Sequence, residues 1–156
     1  MRGSGKTTVG RILAAKLDRE LFETDRLIAQ KAGFSITEIV DRYGWAKFRA
    51  LEKEITNELA GMESVIIDAG GGIVISEDNV RELRRNGLLV WLNASIDSLL
   101  KRTSEDTSRP PLISGRTRWE EVEITIDERR PLYEEAASLV VDTKNKTPEE
   151  VAGEII

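Results

Sequence analysis

The string GSGKTT, residues 3–8, holds the side chains best suited to chemistry on an anion. It matches the second half of G-x-x-x-x-G-K-[ST], in which backbone N–H groups cradle phosphates, the lysine reaches the outer phosphates and the hydroxyl meets magnesium. On that pattern Lys6 neutralises charge on the β- and γ-phosphates and Thr7 reaches Mg²⁺. The N–H groups of Gly3, Ser4, Gly5, Lys6, Thr7 and Thr8 line the cradle at a helix N-terminus. The leading glycine of the pattern would fall one residue before Met1. A turn that only caps the following helix is the simpler alternative. The other candidates are carboxylates and arginines: Asp25 after FET, Asp68 just before the glycines 70–72, Arg49, and Arg129 with its neighbour Arg130.

Composition narrows what those residues can do. With no cysteine and no histidine in 156 residues, disulfides, thiolate nucleophiles, histidine bases and most zinc chemistry are excluded. A net charge of −5 argues against life on nucleic acid, which calls for a concentrated basic face. No apolar run approaches the roughly 18 residues of a membrane span, and no charged-then-apolar leader precedes the first motif, so a cytoplasmic protein is expected. The length suits one compact domain over residues 1–156.

The elements that must position these groups follow from periodicity. Val9, Ile12, Leu13, Ala14 and Leu17 carry the phosphate loop straight into an amphipathic helix. ELFET reads as a strand leading to Asp25, and DRLIAQKAG as a short helix capped by Asp25 or Thr24 and ended by Gly33. SITEIVDRYG carries a capping signature, Ser35 with Glu38, and WAKFRALEKEITNELAG sets Trp45, Phe48, Leu51, Ile55 and Leu59 on one helical face. Residues 65–68, GLLVWLN and SLVVD read as buried strands, with DNVRELRRN a helix between the first two. Continuous apolar strands alternating with helices indicate an α/β fold: a parallel sheet between two helical layers. The long polar stretch SEDTSRPPLISGRTR reads as a lid. The three tryptophans, Trp45 among them, are expected in the core.

A guanine-reading asparagine-lysine-x-aspartate string is absent, since DTKNK lacks the final acid, and this favours a kinase over a nucleotide switch. Taken singly, the residues allow plainer roles. Arg49 stands three residues before Glu52 and suits a surface ion pair, Asp25 suits a helix cap, and Arg129 or Arg130 suits a solvated face.

Read together, the chain resembles shikimate kinase, a small P-loop kinase family related to the nucleoside monophosphate kinases. The likeness rests on GSGKTTVG, FETD, WAKFRALE, GGGI, RTSEDTSRPPL, ERRPLYEEA and VDTKNKTPEEV, in the family's order and approximate spacing from end to end. The resemblance implies a three-layer P-loop kinase fold with a mobile lid at about 104–118 and acceptor-binding helices at about 25–60. It implies transfer of the ATP γ-phosphoryl to the 3-hydroxyl of shikimate, on the route to chorismate and the aromatic amino acids, by a monomer needing ATP and Mg²⁺. Asp25 then holds the acceptor hydroxyls and stands to take the proton, Arg49 and Arg129 bind the carboxylate, and Gly70, Gly71 and Gly72 line the substrate. Arg109 in the lid contacts both substrate and moving phosphoryl, Arg102 sits by the nucleotide, and residues 141–148 form the adenine-side loop. Another acceptor such as gluconate, or a nucleotide-binding module without catalysis, is the competing expectation.

The sequence departs from the family pattern in three places. Glu23 stands where the family has an aspartate, one methylene longer, and is expected to reach the metal through water. Asp68 stands where the family has a small or hydroxyl residue, and is expected to support the metal from behind its ligands. The strand that precedes the phosphate loop in this family lies mid-sheet, between the strand ending at Asp68 and that containing Trp91. The sequence therefore reads as short by about eight to ten residues, the length of a short strand and its turn.

Overall fold

The computed structural model describes residues 1–103, 113 and 115–156. The phosphate loop ends at Gly5, whose φ of 94° lies in the left-handed region, and helix α1, Lys6–Leu17, starts at once. Strand β1, Glu20–Glu23, runs without a loop into helix α2, Thr24–Ala32, whose N-cap is Glu23 and not Asp25 or Thr24. The expected cap role of Asp25 is thereby corrected. Asp25 is the second residue of the helix and lines the cleft described below.

Helix α3, Ile36–Ala60, joins the two helices expected on either side of Gly44, which alone is non-helical at φ 76°, ψ 170°. Its N-terminus has the capping box of Ser35 and Glu38. Strand β2, Val65–Asp68, breaks into the glycines and a 3₁₀ turn at Ile73–Ile75. Helix α4, Glu77–Asn86, strand β3, Val90–Asn93, and helix α5, Ile96–Thr103, follow. Helix α6, Arg118–Ala136, strand β4, Leu139–Asp142, and helix α7, Pro148–Ile155, close the chain.

All the pairing is parallel, as expected, in two ladders, β1 with β2 and β3 with β4. Among the described residues no ladder joins β2 to β3, but side chains bridge them. Ile66 packs on the core formed by Val9, Leu92 and Val141, and Ile67 and Trp91 pack on the core around Leu83 and Tyr133. A third core joins α2 to α3 through Ile28, Ile39, Phe48 and Ile55. The strands are less buried than their apolar runs suggest. All of β2 is half-buried, and β4, paired on one side only, buries Val141 alone. Trp119 is 48% exposed at the start of α6 and is not a core residue. No described helix is long and apolar enough to cross a membrane.

Candidate active site

The phosphate loop is held from two sides. Ser4, 2% exposed, donates through Oγ to the Met1 carbonyl at 3.0 Å, and Lys6 Nζ donates to the same oxygen at 2.9 Å. Gly3 has a φ of 73°, and a Cβ there would stand 2.7 Å from Thr103 Cγ2 and 3.1 Å from the Leu99 carbonyl, so the loop lies directly on α5. Arg102 on that helix donates to the Gly3 carbonyl at 3.3 Å, which puts its positive charge beside the loop. Gly5, also left-handed, lets the chain turn into α1, whose first N–H groups and positive dipole end face an incoming anion.

Parallel pairing sets Glu23 opposite Asp68 at the carboxyl ends of β1 and β2, where open α/β sheets place their ligands. Thr7 Oγ1 donates to Asp68 Oδ2 in a short bond across 61 residues of sequence. Glu23 Oε1 accepts from Arg11 Nη2 at 3.3 Å. Among the described residues no three metal-ligating side chains converge. This donor set of one hydroxyl and two carboxylates fits a hard cation that takes its other ligands from water and phosphate, as Mg²⁺ does, and does not fit a self-sufficient metal centre.

A cleft open to solvent lies between α2, α3, α6 and the glycine turn. Asp25, Arg49, Gly70, Gly71, Gly72 and Arg129 all line it, with Trp45 and Phe48 as an apolar wall. Arg130, the neighbour that the sequence leaves as an alternative, lines a separate small hollow with Trp91. Each glycine is where something else must be close. A Cβ at Gly70 would lie 3.2 Å from Asp25 Oδ1 and 3.3 Å from Glu52 Oε1. One at Gly71 would lie 3.1 Å from the Met1 backbone, and one at Gly72 would come within 2.5 Å of Arg49 Nη1. The guanidinium of Arg49 therefore lies on the Gly72 backbone.

Arg49 does form the i, i+3 pair with Glu52, Nη1 to Oε2 at 2.6 Å, but not on the surface: Glu52 is 1% exposed. Burial holds the Glu52 carboxyl above the usual carboxylate range, and the nearby Arg49 and Arg129 oppose that shift. Its Oε1 has no hydrogen-bond partner among the described residues. The Arg49 guanidinium also stacks 5.2 Å over Phe48 and 5.7 Å over Trp45, which leaves it few orientations. On α6, Arg129 Nη1 donates to the Gly71 carbonyl at 3.1 Å. The result is two guanidinium groups and two carboxyl groups around one glycine turn. Such a cleft suits a ligand carrying one carboxylate and several hydroxyls. Glu52 escapes a reading of the sequence because its burial depends on α3 packing beneath the glycine turn. The lid arginine, Arg109, and most of 104–118 lie outside the described residues.

Known proteins share this sequence pattern and fold. The sequence model of the family described as shikimate kinase (SKI) matches residues 2–156. A shikimate kinase of Chromohalobacter salexigens is 40% identical over 154 residues, 99% of this chain and 85% of that protein. One of Caldicellulosiruptor bescii is 37% identical, over 99% of this chain and 88% of its own. Among solved structures, shikimate kinase from Acinetobacter baumannii in complex with shikimate superposes with a TM-score of 0.93 at 33% identity, covering 98% of this chain and 85% of that one. Shikimate kinase from Aquifex aeolicus gives a TM-score of 0.80 at 31% identity, covering 98% and 87%.

Proposed function

The chain belongs to the shikimate kinase family, and from that premise we propose how its own residues divide the reaction. It is an ATP-dependent kinase that moves the γ-phosphoryl of ATP to the 3-hydroxyl of shikimate. The shikimate oxygen bonds to the γ-phosphorus as the bond from that phosphorus to the β,γ-bridging oxygen breaks. ADP leaves and the hydroxyl proton passes to Asp25. The transition state is loose, so positioning and charge neutralisation supply most of the rate and a strong base is not needed.

The phosphate loop N–H groups and Lys6 hold the nucleotide phosphates, with Arg102 alongside and residues 141–148 on the adenine side. Mg²⁺, when bound, would neutralise charge that develops on the transferring phosphoryl. Thr7 would hold it directly and Glu23 through water, with Asp68 orienting Thr7 through the hydrogen bond between them. Arg49 and Arg129 bind the shikimate carboxylate, the glycine turn lines the ring, and Asp25 holds the reacting hydroxyl. Arg109 reaches in from the lid. The observation that carries this reading is the guanidinium of Arg49 laid on Gly72 in the same cleft as Arg129 and Asp25, an acceptor site built for a carboxylate beside a hydroxyl. The protein works as a monomer in the cytoplasm, on this proposal.

The test is ADP release from Mg·ATP with shikimate, gluconate and a nucleoside monophosphate offered separately. Release with shikimate alone is expected. Release with gluconate or the nucleotide in its place would overturn the acceptor assignment.

A further inference from the structure

The motif RRPLY contributes more to the cleft than Arg129. Tyr133, one turn further along α6, is 7% exposed, and its hydroxyl donates to the same Gly71 carbonyl in a short bond. That hydroxyl in turn accepts from the Met1 nitrogen at 3.3 Å, so its single proton is committed to Gly71. The ring cannot swing away. It stacks on Trp91 of β3 with centroids 5.5 Å apart and planes 17° apart, inside the core that holds Leu83 and Ala136. Burial also pushes the phenol above its ordinary value, against the pull of Arg129 and Arg49, so the donor keeps its proton at neutral pH.

Resting on the carboxylate cradle just described, we propose that Tyr133 is a positioning residue for acceptor recognition. By satisfying the Gly71 carbonyl, it fixes the peptide plane between Gly71 and Gly72 and leaves the Arg129 guanidinium able to turn to the ligand. A carbonyl oxygen accepts two hydrogen bonds, and here Tyr133 supplies one and Arg129 Nη1, at 3.1 Å, the other. Without the hydroxyl the carbonyl depends on Arg129 alone, which draws the guanidinium onto the turn and off the carboxylate. The peptide is planar and trans, so a shift of the Gly71 carbonyl also redirects the Gly72 N–H. Tyr133 thus acts on the ligand through two groups without touching it.

Tyr133→Phe keeps the ring and its stack on Trp91 and removes only the hydroxyl. Steady-state kinetics with shikimate and with its uncharged methyl ester separate recognition of the carboxylate from general damage. The expected result is a rise of about five- to tenfold in KM for shikimate, kcat unchanged, and the ester altered by less than about twofold. An equal loss with both acceptors would mean a merely structural tyrosine, and no change with either would also overturn the proposal. If the wild-type enzyme did not prefer shikimate to the ester, the cradle itself would fall, and this inference with it. Should the variant not fold, global incorporation of 3-fluorotyrosine lowers the phenol pKa without changing shape. KM for shikimate should then rise with pH while that for the ester stays level; a level shikimate KM would refute the role.

Discussion

Replacing Gly72 by alanine should separate stability from recognition in this protein. The backbone at Gly72, φ −99° and ψ 1°, is open to any L residue, so the added methyl causes no backbone strain. Gly→Ala at a compatible position stabilises by about 0.4–1 kcal/mol through the unfolded chain. The methyl would instead meet Arg49, 2.5 Å from Nη1 and 2.8 Å from Cζ, the far end of a side chain that can move aside. Moving it weakens the 2.6 Å bond to Glu52, whose carboxyl, already held above the ordinary range by burial, can take a proton. These effects oppose, and the melting temperature should barely change.

Recognition has no such compensation. Removing one partner of a desolvated charge pair costs about 2–5 kcal/mol, and with Arg129 still in place the lower end applies. About 2 kcal/mol is a loss of about thirtyfold in kcat/KM for shikimate. The assay is coupled ADP release across shikimate concentration at saturating Mg·ATP, beside thermal unfolding of the same sample. KM for ATP should not move. Arg49→Ala should cost a similar amount, and the double variant no more than either single one, because both act on one guanidinium. A folded Gly72→Ala enzyme with a shikimate KM within about twofold of wild type, below the cost of one ordinary hydrogen bond, would refute the placement of Arg49 on the acceptor.

Two other perturbations test the remaining chemistry. Asp68→Asn should weaken Mg·ADP binding in calorimetry by about tenfold, the usual lower cost of losing a residue that orients a metal ligand, and raise the magnesium concentration needed for turnover. Unchanged magnesium dependence in Asp68→Asn, with turnover abolished in Glu23→Gln, would assign the metal to Glu23 alone. Glu52 and the capping acids give stability opposite slopes with pH. The folded state keeps the Glu52 proton where the unfolded chain has lost it, so that contribution is full below the ordinary carboxylate value and is lost as pH rises through the raised one. Glu38, Glu120 and Glu150 are held low by their capping bonds and contribute stability that is lost as pH falls. Melting temperature measured from about pH 3 to 8 should climb and then decline in the wild type, and Glu52→Gln should keep only the climb.

Much of the site can be read from residue order because its parts are local. The phosphate loop runs into α1 within five residues, the Ser35 and Glu38 capping box starts α3, and Asp68 ends a strand before three glycines. What sequence spacing does not carry is long-range. The bond from Thr7 to Asp68 spans 61 residues and that from Tyr133 to Gly71 spans 62, so neither appears as a motif. Arg49 and Glu52 at i, i+3 look like an exposed pair, and only the glycine turn folded over them makes the pair buried. Asp25 resembles a cap because it is an acid at a helix start, yet Glu23 holds the cap position. The outward Trp119 and the largely exposed β4 arise likewise from where the elements pack, not from the apolar character of their residues.

The break at Gly44 has its own consequence. Its backbone, φ 76° and ψ 170°, belongs to a region open essentially only to glycine, and it divides α3 into two rods. The first carries Ile36 to the cleft, while the second carries Trp45, Phe48, Arg49 and Glu52 and is tied to α4 through Lys53 and Asp78 at 2.7 Å. One core, formed by Ile36 and Ile39 of the first rod with Phe48 and Ile55 of the second, nonetheless binds the two rods together. A residue with a side chain at position 44 would have to leave that backbone region, and the angle between the rods, with the cleft contour their side chains form, would shift with it.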